Sequence, residues 1–540
     1  MGIKTAILSC FAAAVVCSTV AGQPSSVWVA DNGDGTYRNP IIHADYSDPD
    51  VVRVGDDYFM TASSFNAVPG LPILHSKDLV NWQIVNHVFR KQEPNEVFRL
   101  PQHGGGVWAP SIRFHNGEYY IFYADPDFGI YMTKTRDPRG EWSKPLLIKE
   151  AKGWIDPCPL WDSDGKAYLV HAFAGSRSGI KSVLVLNRMS PDGTRLLDDG
   201  VMVFDGHNEH PTVEGPKFHK FGEYYYISAP AGGVATGWQL VLRSKNIYGP
   251  YEGKIVLAQG KTDINGPHQG ALVDTPSGEN WFIHFQDRGP YGRIVHLQPV
   301  VWRNGFPVIG IDPDGDGTGE PVLTFRKPKV NSPQPIASPQ DSDEFNAPVI
   351  GPQWQWHANP EAAWAFPFPQ RGVLRMSSVQ APDGTKNLWE LPNLLLQKFP
   401  AEEFTATAKL KFAPRYDGER FGLVVMGLDY ALLGLTWRDG KVQIEHSVSK
   451  DADKGTAETH SGQRELSSGG DLYLRVEVSK GAACKFSFST DGRNFTLVGE
   501  PFTAREGRWI GAKVGFVFTR PGKFNDAGSV DIDWFRLEKK

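Results

Sequence analysis

Cysteine is nearly absent from the 540 residues: Cys10, Cys17, Cys158 and Cys484 are the four that occur. That scarcity excludes a disulfide framework, and the spacing excludes a cysteine-built metal centre. Long apolar runs are missing as well. The longest candidate, Ala6 to Val16, is shorter than the ~20 residues a membrane-spanning helix requires. Charge of one sign is not in excess, since the net charge is −5, so nothing favours nucleic acid or an anionic membrane as partner. Helical periodicity with caps is also almost absent, which excludes a helix-rich fold.

What is present points to many short strands. There are 57 glycines and 40 prolines for tight turns, and aromatics make up 12% of the chain, with 16 tryptophans. Aromatic-rich clefts suit sugars. At the N-terminus, Lys4, the short apolar run and the small residues Val20-Ala21-Gly22 form the pattern of a secretory signal. Residues 1–22 are therefore expected to be removed and the protein secreted, with a mature net charge of −6 once Lys4 is gone.

A repeat occupies the first 300 residues. The segments "DPDVVRVGDDYFMTAS" from Asp48, "APSIRFHNGEYYIFYA" from Ala109, "DPCPLWDSDGKAYLVHA" from Asp156, "EGPKFHKFGEYYYISA" from Glu214 and "QGALVDTPSGENWFIHF" from Gln269 share one layout. Each is a strand, a turn with glycine and an aromatic-rich second strand. The offsets from opening residue to first aromatic after the turn (Tyr58, Tyr119, Tyr168, Tyr224, Trp281) are 10, 10, 12, 10 and 12. Further strands follow in each unit, so the pattern predicts five four-stranded blades, an all-β propeller.

In a propeller the innermost strands run along the central axis, and the residues that open them meet at one channel mouth. Asp48, Ala109, Asp156, Glu214 and Gln269 are expected at equivalent places, three of them acids. One Asp-Pro is an ordinary turn starter. Three carboxyls at matched positions drive their pKa values apart, which is what glycoside hydrolysis needs: one acid holding a proton, another ionised. Asp50, two residues along the strand from Asp48, is expected to serve the strand or a neighbouring backbone group.

The ordered set "SDPDVVR", "WAPSIR", "IDPCPLW", "EGPKF" and "GPHQGALV" resembles glycoside hydrolase family 43, the five-bladed propellers of the β-xylosidase and α-L-arabinofuranosidase group. The resemblance implies that Asp48 is the general base, Glu214 the general acid and Asp156 the residue tuning Glu214. It implies inversion at the anomeric carbon, with the Asp48 and Glu214 carboxyls about 6.5–9.5 Å apart. It further implies that Phe65 and Trp108 shape a small pocket for one terminal sugar and that Arg293 reaches a sugar hydroxyl. His268 resembles the axial histidine that in some members helps hold a hydrated calcium. No organic cofactor is required, and a structural calcium stays open. The "TRDP" at Thr135 is shared with retaining, invertase-like propellers, but their other motifs are missing here.

The chain divides into the signal (1–22), the propeller (23–325), a Pro-rich linker (326–342) and a C-terminal region (343–540) of alternating strands. That last region is expected to be a β-sandwich and resembles the concanavalin-like domain behind the propeller in one branch of the family. Two acidic stretches are candidate calcium sites: "DPDGDGTGE" from Asp312, which lacks EF-hand flanks and a bidentate glutamate and reads as a turn, and Asp343 and Glu344 together with Asp531 and Asp533. The expected partner is a hemicellulose-derived oligosaccharide or polysaccharide, with no nucleic acid and no membrane insertion. The residues do not separate xylosyl from arabinofuranosyl substrates, and they leave the oligomeric state open. A non-catalytic carbohydrate-binding propeller is the alternative; it would keep the aromatics without needing all three acids.

Overall fold

The computed structural model describes residues 25–466 and 469–540. The expected signal, 1–22, lies outside them. Five four-stranded antiparallel sheets follow one another along the chain: 50–89, 108–150, 154–205, 217–257 and 268–309. Each is a blade whose strands pair in sequence order. Hairpin turns such as Asn116-Gly117, both at positive φ, join neighbouring strands, as the right-handed strand twist prefers. Because each blade is covered on both faces by its neighbours, the second strands are continuously apolar. In Glu118–Asp125 every position from Tyr119 onward is buried. The ring is closed by the N-terminal segment, with Thr36–Arg38 paired to Thr324–Arg326 and Ile42 bridged to Val295 in the fifth blade.

Residues from Asp343 onward form two eight-stranded antiparallel-dominated sheets packed face to face, the expected sandwich. In one sheet strands alternate, as in Leu472–Ser479, where buried and half-exposed positions take turns, whereas in the other Arg420–Met426, Tyr430–Arg438 and Lys513–Arg520 are buried almost throughout. Trp354, Phe421, Phe516, Phe518 and Phe535 fill the space between the sheets. The Pro-rich stretch before the sandwich is tied to the propeller: Ala337 N donates to Asn81 Oδ1 (2.9 Å) and the Asn331 amide to Asp56 (2.6 Å). The sandwich docks on blade 1 through a Val68–Trp356 bridge and on the end of blade 5 through Ala512 N to Pro290 O (2.8 Å). Among the described residues, no helix is long and apolar enough to cross a membrane.

The register of the repeat needs one correction. Asp48, Ala109, Asp156 and Gln269 all have positive φ (55°, 28°, 58° and 30°), but in the fourth blade the matching residue is Gly215 (58°), and Glu214 lies one position earlier. Strand pairing agrees in the first four blades, where the residue two further on opens the regular ladder (Asp50, Ser111, Cys158 and Lys217), while in the fifth it opens one residue sooner, at Gly270. Glu214 therefore shares a layer with Ser47, Trp108, Ile155 and His268. Each non-glycine residue in the left-handed region costs of order 1–3 kcal/mol, so the ring of strained openers is held by its surroundings. At Gly215 even that is not enough, since a Cβ there would run into the Gln269 side chain.

Candidate active site

The two-layer arrangement separates the acids by environment. Asp48 is buried, and its carboxylate is fixed from three sides: Ser63 Oγ and Ser47 Oγ donate to Oδ2 (2.6 and 2.7 Å), and Arg293 Nη1 approaches Oδ1 at 3.4 Å. Asp156, also buried, accepts from Gly215 N (2.7 Å) and Gln269 Nε2 (3.2 Å). The Gly215 bond ties Asp156 to the residue adjoining Glu214. The Glu214 side chain, 26% exposed, is the one acid of the three that reaches open space.

Electrostatics follow from that packing. Burial first, then the nearby charge of Asp48, pushes the Asp156 carboxyl well above the ordinary carboxylate range. Glu214 is pushed up in the same way, by withdrawal from solvent and then by Asp156 and Asp48, with Arg293 opposing. The two titrate as a pair, and the pair retains a proton at pH values where an exposed carboxyl has lost it. His268 is buried beside Glu214, with Nε2 3.6 Å from Oε1, and burial holds its pKa down to about 3, so it is neutral.

The remaining expected residues also gather here. Phe65, buried and at φ 51°, packs edge-on against Trp108 with ring centroids 6.3 Å apart. Trp108 donates its indole N–H to Gly104 O (2.9 Å). Arg293 donates to Ser47 Oγ (2.7 Å) and lies over the Phe285 ring, its guanidinium carbon 4.9 Å from the centroid. Asp50 serves the backbone, accepting from Ile112 N (2.7 Å) and pairing with Arg113 (2.6 Å), fully buried and away from Glu214's open space.

The family resemblance allows the sandwich to lend a side chain to the pocket rim, and the sequence leaves open which residue that is. A cleft of about 410 Å³ lies on the domain seam, between Asp287–Arg293 of blade 5 and the 506–510 loop of the sandwich. Trp509 of that loop, half exposed and at φ 63°, meets Trp108 edge-on at 6.5 Å and lies 5.9 Å from the Arg293 guanidinium. The signal available was a lone Arg-Trp between Gly507 and Gly511, which means nothing until the domains are docked.

The candidate cation sites differ from one another. Asp312, Asp314 and Asp316 bring carboxylate oxygens within 4.8 Å of one another, but both oxygens of Asp312 already serve its own turn and Arg303. Asp343 caps its own loop and accepts from the Trp354 indole, whereas Glu344, Asp531 and Asp533 pair with Arg536, Arg375 and Lys409. On the axis, His268 has both ring nitrogens buried without a partner, and Gln269 Oε1 is likewise unpartnered.

Comparison with known proteins identifies both domains. The family described as Glycosyl hydrolases family 43 matches residues 37–307, and the Beta xylosidase C-terminal Concanavalin A-like domain matches residues 342–538. The chain is 40% identical over 496 residues to a protein of Xylanibacter ruminicola, covering 91% of this chain and 87% of that one. It is 33% identical to a beta-xylosidase of Formosa agariphila, over 96% of this chain and 93% of the relative. A non-reducing end alpha-L-arabinofuranosidase of Bacteroides ovatus is 28% identical over 93% of this chain and 94% of its own. The solved GH43 protein BlXynB of Bacillus licheniformis superposes with a TM-score of 0.80 at 26% identity, over 94% of this chain and all of its own. Propeller, sandwich and sequence together place the chain in glycoside hydrolase family 43, which makes it a glycoside hydrolase acting on a carbohydrate substrate.

Proposed function

We propose that the protein is a secreted, inverting exo-glycosidase that removes terminal β-xylosyl residues from xylo-oligosaccharides and xylan. The observation that carries the reading is the division of labour among the acids: Glu214, the partly exposed one, retains a proton, while Asp48 is held as an acceptor by two serines and Arg293. Asp48 takes a proton from water, the resulting hydroxide attacks the anomeric carbon, and the glycosidic bond breaks as Glu214 gives its proton to the departing oxygen. Asp156, through Gly215 N, orients the Glu214 backbone, and its charge disfavours ionisation of Glu214. In this reading the edge-on series Phe65, Trp108 and Trp509 shapes the rim for one terminal sugar ring, as the family resemblance implies for Phe65 and Trp108, which favours exo action.

The xylosyl preference rests on the beta-xylosidase name of the Formosa relative, and the arabinofuranosidase from Bacteroides makes α-L-arabinofuranosyl removal the second activity to test. The reaction as written uses three carboxyls and water, so no organic cofactor takes part in it. A hydrated calcium fits the unpartnered atoms of His268 and Gln269, where it would add positive charge beside the acids. Secretion rests on the pattern of residues 1–22.

The decisive experiment compares aryl β-xyloside and aryl α-L-arabinofuranoside hydrolysis, then follows the first-formed anomer from xylobiose by NMR. The α-anomer of xylose is expected first. The β-anomer would overturn the role of Asp48, and no hydrolysis of either glycoside would overturn the substrate class.

A further inference from the structure

We propose that Asp45, outside the acid cluster, is a positioning residue that fixes the two walls of the pocket against each other with one carboxylate. Its Oδ1 accepts from Arg293 N (2.9 Å) in the propeller, and its Oδ2 accepts from Gly511 N (3.1 Å) in the sandwich. The two bonds end on the strand of the arginine that holds Asp48 and on the loop that carries Trp509. The side chain is buried, and its backbone carbonyl accepts from Lys398 of the sandwich as well.

The packing around this carboxylate leaves no room for adjustment. Gly292, at φ 74°, faces Asp45 so closely that a Cβ there would sit 2.5 Å from the aspartate's own Cβ. A Cβ on Gly511 would meet Gly292 N at 2.6 Å. Three chain segments thus meet backbone to backbone, and a carboxylate is the side chain of this size that offers an acceptor to each of two N–H groups. Asparagine would supply one acceptor and turn an N–H donor toward the other amide.

The consequence concerns Trp509. Its left-handed backbone is strained, a cost of order 1–3 kcal/mol that a neighbouring anchor must hold in place. Gly511, two residues on, is that anchor. Without it the loop relaxes away from Trp108 and Arg293, and the sugar loses a wall while the acids keep theirs.

This inference rests on the glycosidase reading, and its test separates the two. Asp45→Asn, Trp509→Ala and the double variant are compared for hydrolysis of xylobiose, with melting temperature recorded for each. Each single change is expected to raise KM about tenfold with kcat within about twofold, and the double variant is expected to match Trp509→Ala alone, since both act on one wall. Lys398→Met, which removes the bond to the Asp45 carbonyl and the cation over the Tyr46 ring but leaves the Asp45 carboxylate its two amides, is expected to lower the melting temperature and leave KM unchanged. Multiplying effects in the double variant, or an Asp45→Asn protein altered only in melting temperature, would overturn the proposal while the unaltered enzyme still hydrolyses xylobiose. If Asp45→Asn does not fold, Asp45→Ala, which removes both acceptors without adding volume, replaces it with the same expected KM and the same reversal.

Discussion

The propeller brings its inner strands together on one axis and the sandwich does not, and the difference explains why one carries the acids and the other a wall. Blade strands are covered on both faces and read as unbroken apolar runs, so polar groups are pushed to strand ends, where the inner strands meet at the axis. Sandwich strands share no axis: some, such as Leu472–Ser479, bury one face and alternate, while Arg420–Met426, Tyr430–Arg438 and Lys513–Arg520 are buried almost throughout, and in neither case do strand ends meet at one point. The propeller gathers charge; the sandwich supplies shape through the 506–510 loop.

The largest expected effect lies on the propeller side. Glu214→Gln should lower kcat for xylobiose about 10³-fold, within the range general acid catalysis contributes, and steady-state kinetics reads it directly. If any sandwich substitution matched that loss, the contrast would break. Next is Asp50→Asn, which leaves Arg113 buried beside Cys158 without its counter-charge. It should cost about 3 kcal/mol of stability in chemical denaturation, with kcat of the folded fraction nearly unchanged, because a buried charge that loses its partner is penalised strongly. A catalytic loss without a stability loss would reverse the assignments of Asp48 and Asp50.

Asp156→Asn should lower kcat about 100-fold and also move the pH profile. Glu214 is protonated well above the ordinary carboxylate range, so activity falls as pH rises through its raised pKa. Removing Asp156 takes away a charge that raises that pKa, and the alkaline limb should therefore move to lower pH. An alkaline limb that stays in place would mean Asp156 acts by geometry alone.

The smallest effect is on the sandwich side of the seam. Lys513 is buried next to Lys398, and burial pulls its pKa from 10.5 down to about 7. Below that value the folded protein holds a buried cation in full; above it the amine is neutral when folded, and the penalty shrinks toward pH 10.5. Lys513→Met should raise the melting temperature by a few degrees at pH 6 and by less at pH 9.5. An equal gain at both would show that the ammonium is hydrated in the folded state.

Much of this site was legible in the sequence because a repeat turns spacing into position. Asp48, Asp156, Phe65, Trp108, His268 and Arg293 all stand at blade ends, and five similar segments locate blade ends without any structure. The one-residue offset of Glu214 was hidden, because counting from Glu214 to Tyr224 gives the same interval, 10, as the first two blades. The backbone shows instead that Gly215 takes the strained position. That offset puts Glu214 in the layer of Trp108 and His268 instead of that of Asp48 and Asp156. Asp45 and Trp509 had no spacing to reveal them, since they belong to different domains and 464 residues of chain separate them.

By itself, then, the sequence determined the blades, the sandwich, the family and the three acids, because local alternation, glycine turns and repeat spacing are properties of neighbouring residues. Tertiary structure alone decided which carboxyl is buried and which is open, which proton is retained, and how the sandwich completes the pocket. Those outcomes depend on desolvation and on contacts between segments hundreds of residues apart, and neither exists until the chain has closed its ring and docked its second domain.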